Sequence, residues 1–339
     1  MATIKDVARE AGVSVGTVSN YLSDPDSLGD ARRARVARAV QKLRYEPNHA
    51  ARSLRSKQTR IIGMVIPDIT NPFFPQLVRG AEECAAQRGY ILTTFNTDDR
   101  LDREASAIAS CRTHSVDGLL LVVAPGNGNA TQIRATQQAG IPVVCLDRTP
   151  VGLQVDCVLS DNREGSRQCT YHLLSLGHRS IAFIRGPRAL CNAEDRLAGY
   201  REALAHAKVR EDKSLIFDGD FRIEGGLRAG RKLLARAQKP TAVFIANGMM
   251  ALGVLQALEE ASLHCPEDIS VACFDELAIA DVFRPRLTTI VQPAYSVGQR
   301  GMELLIDRIN GVIKGNKPVR ILLDTELRVR ESTVRPKQA

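Results

Sequence analysis

The chain has 339 residues, 44% hydrophobic and 25% charged, which is enough for two or three domains with a large core. No apolar run reaches the ~18 residues of a membrane span and no signal-peptide stretch opens the chain, so a soluble, cytoplasmic protein without a membrane partner is expected. The net charge of +8 is unevenly placed: residues 1–60 hold 12 Lys/Arg against 6 Asp/Glu, a net +6 that leaves +2 for the rest. Positive charge gathered in one short segment is the footprint of phosphate neutralisation, and it points to nucleic acid as a partner of that segment.

Residues 3–22 read as two short helices that meet at a glycine. Thr3 predicts an N-cap with Asp6 three residues on, and Ile4, Val7, Ala8 and Ala11 make one apolar face. Gly12 ends this helix, Val13 packs the turn, and Ser14 caps a second helix with Val18, Tyr21 and Leu22 inward. Val15, Gly16, Thr17, Ser19 and Asn20 are then left outside, a small polar face without acids that suits a major groove lined by phosphates. An ordinary helical hairpin is the other reading of this stretch taken alone. A third helix buries Val36, Ala39, Val40 and Leu43 and turns Arg32, Arg33, Arg35 and Arg38 outward. Such charges commonly coat a solvated face, and some of these are expected to touch phosphate. Pro47 stops that helix, and Asn48 can cap a short fourth one over residues 49–55, carrying Ala51, Leu54 and Arg55. Two turns without a wide apolar face are unstable alone, so order is expected only against DNA and a dimer copy, with Leu54 placed to wedge between base steps. A plain flexible linker is the alternative.

From residue 60 strands and helices alternate. Strands are predicted over residues 61–66, 90–95, 118–123 and 143–146, with helices over 75–89, 103–112 and 133–139 between them. The rhythm restarts at Asp161: helices to 176 and over 193–207, 223–237 and 249–261, strands over 180–184, 214–217, 242–245 and 269–274. Continuously apolar strands separated by helices mean two parallel sheets covered on both faces, with a cleft between them where ligands gather beyond the strands' carboxyl ends. Cysteines 84, 111, 145, 157, 169, 191, 265 and 273 show no metal or redox spacing and read as buried small hydrophobes in a reducing compartment.

The residues at those strand ends form a set: Asn71, Phe73 and Phe74; Asp147 and Arg148; Arg196 on a helix; then Phe221, Asn247, Asp275 and Gln292. Singly, Asn71 reads as a turn residue, the phenylalanines as core, and Asp147 and Asp275 as caps. Together, carboxylates, amides and two arginines can hold vicinal hydroxyls while aromatic faces cover the C–H side of a ring, which is chemistry for holding a sugar. No phosphate-cradling loop, nucleophile elbow or metal-spaced histidines are present, and Gly126-Asn127-Gly128-Asn129 lacks the third glycine of a dinucleotide site. An enzyme, a cofactor and a metal are therefore not expected.

End to end the chain resembles the lactose/galactose repressor (LacI/GalR) family. The resemblance is carried by residues 3–22, by Tyr45-Glu46-Pro47-Asn48 with Leu54, by Asn71-Pro72-Phe73-Phe74, by residues 195–200, and by residues 271–275. It implies an N-terminal helix-turn-helix plus hinge helix, followed by an α/β periplasmic-binding-protein-like core of two doubly wound parallel-sheet subdomains. The implied boundaries are 1–46 and 47–60 for the reading domain and hinge, 61–160 plus 293–323 for one subdomain, and 161–292 plus 324–339 for the other. It implies a homodimer on a pseudo-palindromic operator, with Val15, Gly16 and Asn20 at bases, Thr17 and Ser19 at phosphates, and paired Leu54 wedges in the minor groove. Thr3, Ser14, Asn48, Ala51 and Arg55 complete that DNA-binding set. The ten strand-end residues resemble the pentose shell of the related ribose-binding protein, which implies a ribose-like effector that controls operator affinity allosterically. A corepressor-dependent regulator is the alternative sign, and a sugar transport receptor would share the core but lack the reading unit. The chain departs from the family at Gly248, where Asp is common, and at Gly29, a weaker cap than the usual Ser. Gly16 leaves one base-reading position without a side chain. The nine residues after Arg330 are too short for a heptad bundle, so a dimer is expected rather than a tetramer.

Overall fold

The computed structural model describes residues 2–45, 58–126, 129–277, 282, 284–315 and 317–337, and it divides into two units, Met1–Thr59 and Arg60–Ala339. The anticipated hinge segment, with Asn48, Ala51, Leu54 and Arg55, lies outside the described residues.

The first unit follows from its caps. Helix α1 (Ile4–Ala11) opens on a reciprocal box in which Thr3 N–H donates to Asp6 Oδ2 at 2.9 Å and Asp6 N–H donates to Thr3 Oγ1 at 3.4 Å. Gly12 ends it at φ +62°, a left-handed conformation that favours glycine. Helix α2 (Val15–Ser23) is capped by Ser14, whose Oγ accepts from Thr17 N–H at 3.1 Å. Helix α3 (Asp30–Lys42) starts at Gly29 without a side-chain cap. Val7, Ala8, Ala11, Val18, Val36 and Ala39 form its buried centre, with Ile4, Tyr21, Leu22, Val40 and Leu43 packed around them. Val15 also packs there, half-buried, where the sequence pattern placed it outside.

The second unit holds two sheets. The first draws on β1 (Ile61–Ile66), β2 (Ile91–Asn96), β3 (Gly118–Leu121), β4 (Val143–Leu146), β5 (Asp156–Ser160) and β11 (Arg320–Leu323), in the order β11-β5-β4-β3-β1-β2. All its neighbours are parallel. Helices α4 (Phe73–Gln87), α5 (Leu101–Thr113), α6 (Ala130–Gln138) and α11 (Ala294–Ile309) accompany it. The second sheet takes β6 (Ile181–Arg185), β7 (Ile216–Asp218), β8 (Ala242–Ile245), β9 (Ser270–Phe274), β10 (Thr288–Val291) and β12 (Glu326–Arg328), ordered β12-β10-β9-β8-β6-β7 and parallel except for β12 against β10. Its helices are α7 (Asn162–Ser175), α8 (Cys191–His206), α9 (Ile223–Leu234) and α10 (Gly248–Glu260).

The chain crosses from the first lobe to the second after β5, back after β10, and over again between β11 and β12. Helix α11 seats on α4 so closely that a Cβ at Gly80 would lie 2.0 Å from the Tyr295 carbonyl oxygen, and one at Gly298 would lie 1.9 Å from that of Leu77. Only glycine permits that approach. Strands β1, β3, β4, β6, β8 and β9 are buried almost throughout, as doubly covered parallel strands must be.

Candidate ligand cavity and DNA-reading helix

Each lobe sends its strand-end residues into the cleft. Asn71, Phe73 and Phe74 follow β1, Asp147 and Arg148 follow β4, Phe221 follows β7, Asn247 follows β8, Asp275 follows β9, and Gln292 follows β10. All ten anticipated residues, Arg196 of α8 included, line one cavity, and Asn192 joins them. Asp147, Phe221 and Asp275 hold left-handed φ values of +60°, +64° and +69°. For non-glycine residues this costs on the order of 1–3 kcal/mol each, and it turns their side chains out of the strand line.

Arg196 anchors the second lobe's side. It is 2% exposed, its Nε donates to Asn162 Oδ1 at 2.8 Å, and its Nη1 donates to the Ala246 carbonyl and lies 3.9 Å from Asp275 Oδ2. Its guanidinium stacks 3.8 Å from the Phe274 ring centre and 5.7 Å from that of Phe221. Asp275 Oδ1 in turn accepts from Gln292 Nε2. Asn247 is held differently: its Oδ1 caps α10 by accepting Met250 N–H at 3.0 Å, and its Nδ2 donates to the Phe221 carbonyl at 3.0 Å. Both of its polar atoms thus secure the cavity wall.

On the first lobe, Arg148 donates through Nη1 to Asp99 Oδ1 at 2.6 Å and to the Val123 carbonyl at 3.2 Å, with Phe74 5.9 Å from its guanidinium. Phe73 and Phe74 meet edge to face at 5.1 Å, and Asn71 Oδ1 accepts Phe73 N–H at 3.2 Å, fixing the turn into α4. Asp147 accepts from Asn192 Nδ2 at 3.1 Å across the cleft. Burial pushes the Asp147 carboxyl up from its ordinary pKa, against the opposing pull of Arg148 and Arg196.

Four buried polar atoms of this lining have no hydrogen-bond partner among the described residues: Asp147 Oδ1, Asn192 Oδ1, Gln292 Oε1 and Arg148 Nε. Orphaned buried polar groups are costly and rare, and three of these are acceptors, so the cavity is chemically complementary to a compact ligand rich in hydroxyl donors. Among the described residues no His/Cys/Asp/Glu group could hold a metal ion, and no helix is long and apolar enough to cross a membrane. Most cysteines are buried, and burial raises the Cys111 thiol to about 11 and that of Cys265 to about 12.

Sequence reasoning missed Asn192, Asn162 and Asp99. Asn192 had a usable signal, since it stands four residues before Arg196 and so shares its helix face. Asn162 and Asp99 reach the site through tertiary contacts to Arg196 and Arg148, which no local pattern reveals.

Helix α2 presents Gly16 and Asn20 to solvent, with Thr17 and Ser19 partly covered and Thr17 Oγ1 2.9 Å from Ser14 Oγ. Thr3 and Ser14 are exposed caps. Arg33 is engaged by Asp26 at 2.8 Å and by Asp30 at 3.0 Å, while Arg32, Arg35 and Arg38 are exposed.

The family described as bacterial regulatory proteins, lacI family, matches residues 3–48, and the periplasmic binding protein-like domain matches residues 170–333. The chain is 38% identical to the ribose operon repressor of Escherichia coli K12, over 91% of this chain and 93% of that protein. This chain belongs to the lacI family. It is also 36% identical to the HTH-type transcriptional repressor PurR of Vibrio atlanticus, over 91% of this chain and 92% of that one. Among solved structures, a lac repressor dimer bound to operator and the anti-inducer ONPF covers 98% of this chain and 99% of its own, with TM-score 0.85 and 28% identity. A lacI-family regulator from Enterococcus faecium with bound ribose covers 82% of this chain and 100% of its own, with TM-score 0.74 and 30% identity. As a member of this family, the chain is a DNA-binding transcription regulator with a ligand-binding core.

Proposed function

We propose that this lacI-family regulator is a cytoplasmic homodimeric repressor of a pseudo-palindromic operator, and that a ribose-like monosaccharide held in the interlobe cavity controls it. The carrying observation is the set of buried acceptors without partners, Asp147 Oδ1, Asn192 Oδ1 and Gln292 Oε1, in a cavity walled by Phe73, Phe74 and Phe221. Hydroxyls satisfy such acceptors, and aromatic faces cover the apolar side of a ring. The roles of Arg196 and Asp275 as ligand partners, of Asn20 at a base edge, and of Thr17 and Ser19 at phosphate belong to this reading. Asn247 contributes by holding the wall. The ligand touches both lobes, so it favours their closed arrangement, and its differential affinity for the two arrangements shifts operator binding by a coupling on the order of 1–3 kcal/mol.

Calorimetric titration of the full chain with D-ribose, with D-glucose and cellobiose as controls, tests the pocket. Saturable binding of D-ribose that cellobiose does not reproduce is expected; heat from cellobiose alone overturns the single-ring assignment. Anisotropy on an operator selected from random DNA then reads the sign, with D-ribose weakening the complex if the sugar releases repression.

A further inference from the structure

The first turn of α8 ties the lobes together beside the cavity. Thr149, three residues past β4, donates N–H to Cys191 Sγ at 3.4 Å, and the neighbouring Asn192 donates Nδ2 to Asp147 Oδ2 at 3.1 Å. Asn192 is 3% exposed and Asp147 4%. An ionised carboxylate only accepts, so the Asn192 amide must turn its nitrogen toward Asp147 and its oxygen away. That oxygen has no partner among the described residues, and neither has Asp147 Oδ1. The charged groups facing this corner are Arg148, whose Nε lies 3.5 Å from the other Asp147 oxygen, together with Arg196 and Asp275. Arg148 Nη1 is already committed to Asp99 and Val123, and Arg196 to Asn162 and Ala246.

We propose that Asn192 is a specificity-determining residue: its Oδ1 and Asp147 Oδ1 form a paired acceptor edge that demands two hydrogen-bond donors from the ligand. A single hydroxyl carries one hydrogen, so a vicinal diol satisfies the pair and a deoxy-sugar lacking one of those hydroxyls leaves a buried acceptor unmet. This rests on the polyol reading of the cavity. It adds to that reading a selection against sugars deoxygenated at this corner, made by a residue whose other amide atom latches the cleft.

The test is a ligand–protein cycle by titration calorimetry on the full chain, with D-ribose and its 2-deoxy, 3-deoxy and 5-deoxy analogues against wild type, Asn192→Ala and Asn192→Leu. The leucine variant keeps the volume if alanine fails to fold, and thermal melts check both. In the wild type each analogue that lacks a hydroxyl of the pair should bind about tenfold more weakly than D-ribose, the order expected for one lost hydrogen bond. In the variants the analogue that lacks the hydroxyl facing Asn192 should bind within about twofold of D-ribose, while an analogue lacking the hydroxyl that faces Asp147 stays weak. Equal weakening of D-ribose and all analogues would reduce Asn192 to a latch and overturn the proposal, as would variants that keep wild-type discrimination. Absence of saturable D-ribose binding to folded wild type overturns the pentose reading and this inference with it, whereas wild-type binding with unaltered variants overturns this inference alone.

Discussion

The reading unit and the ligand core carry function on opposite kinds of surface. In residues 3–45 the candidate DNA contacts are exposed caps and exposed or half-covered residues of α2, over a centre of six buried side chains, Val7, Ala8, Ala11, Val18, Val36 and Ala39. In the core most candidate ligand contacts are buried, many are hydrogen-bonded to each other, and several end in polar atoms without partners among the described residues. A surface site is therefore free to change with little effect on its fold, while a cavity site is part of the fold it sits in. Substitutions should separate the two units accordingly.

The largest effect is expected at Arg196. Replacing it by Leu removes the donor to Ala246 and Asn162 and the cation near Asp275, leaving buried acceptors and a carboxylate uncompensated. The core should lose about 3–5 kcal/mol and sugar binding should vanish. Arg196→Lys should not restore binding, because a point ammonium cannot span the same partners. Calorimetric melts and sugar titrations check this, and retention of near-wild-type sugar affinity in Arg196→Leu would remove the anchor role. The complementary change is Val18→Ala, with an expected cost of about 2 kcal/mol. Against so small a centre this should melt the reading unit well below its normal temperature and weaken operator binding, while D-ribose affinity stays within about twofold of wild type.

The same contrast explains what was readable from sequence. The helix-turn-helix was legible because its caps and apolar faces are local: Thr3, Gly12 and Ser14 each terminate or start a helix through neighbours within four residues. The alternating core was legible where strands are long apolar runs. Strand β5, with Asp156 at its head, β10, with two threonines, and the short β11 and β12 gave no such run, and their pairing depends on partners far along the chain. All ten anticipated cavity residues meet in space, since strand ends in this architecture converge. What stayed hidden was how they are held. Asp99 behind Arg148 and Asn162 behind Arg196 are contacts over 49 and 34 residues, and the use of Asn247 as a helix cap shows only once α10 is seen to begin there.

Acidification should also distinguish the units. Burial lowers the pKa of His172 and His178, whose rings bond Thr333 Oγ1, Thr241 Oγ1 and the Val334 carbonyl at 2.8 Å. Their folded values lie below 6.5, so the unfolded chain takes up protons first; this contribution to stability is whole above about 6.5 and is lost as pH falls through the folded values. No histidine stands among the described residues of the reading unit. Melts from pH 7.5 to 5.5 should therefore lower the core transition more than that of the reading unit. An equal fall in both would place the acid sensitivity elsewhere.

On the reading surface itself, Asn20→Ala should cost about 1–3 kcal/mol on the preferred operator and relax a single base position, with no change in melting or sugar affinity. Equal loss on all DNA sequences would make Asn20 a backbone contact. Gly16 offers the finest division of stability from readout. A Cβ there would meet only Ser14 Oγ, at an ordinary 3.6 Å, so Gly16→Ala fits the helix. Removing glycine's extra unfolded freedom should then stabilise the reading unit by about 0.5–1 kcal/mol. The added methyl stands on the exposed face, where the only apolar base group it can meet in a major groove is a thymine methyl. If α2 lies in the groove as proposed, selection from random DNA should recover a shifted base preference at one position per half-site, although the variant is the more stable protein. A stabilised unit with an unchanged operator would show that Gly16 faces away from the bases, and the register of the whole helix would have to be rotated.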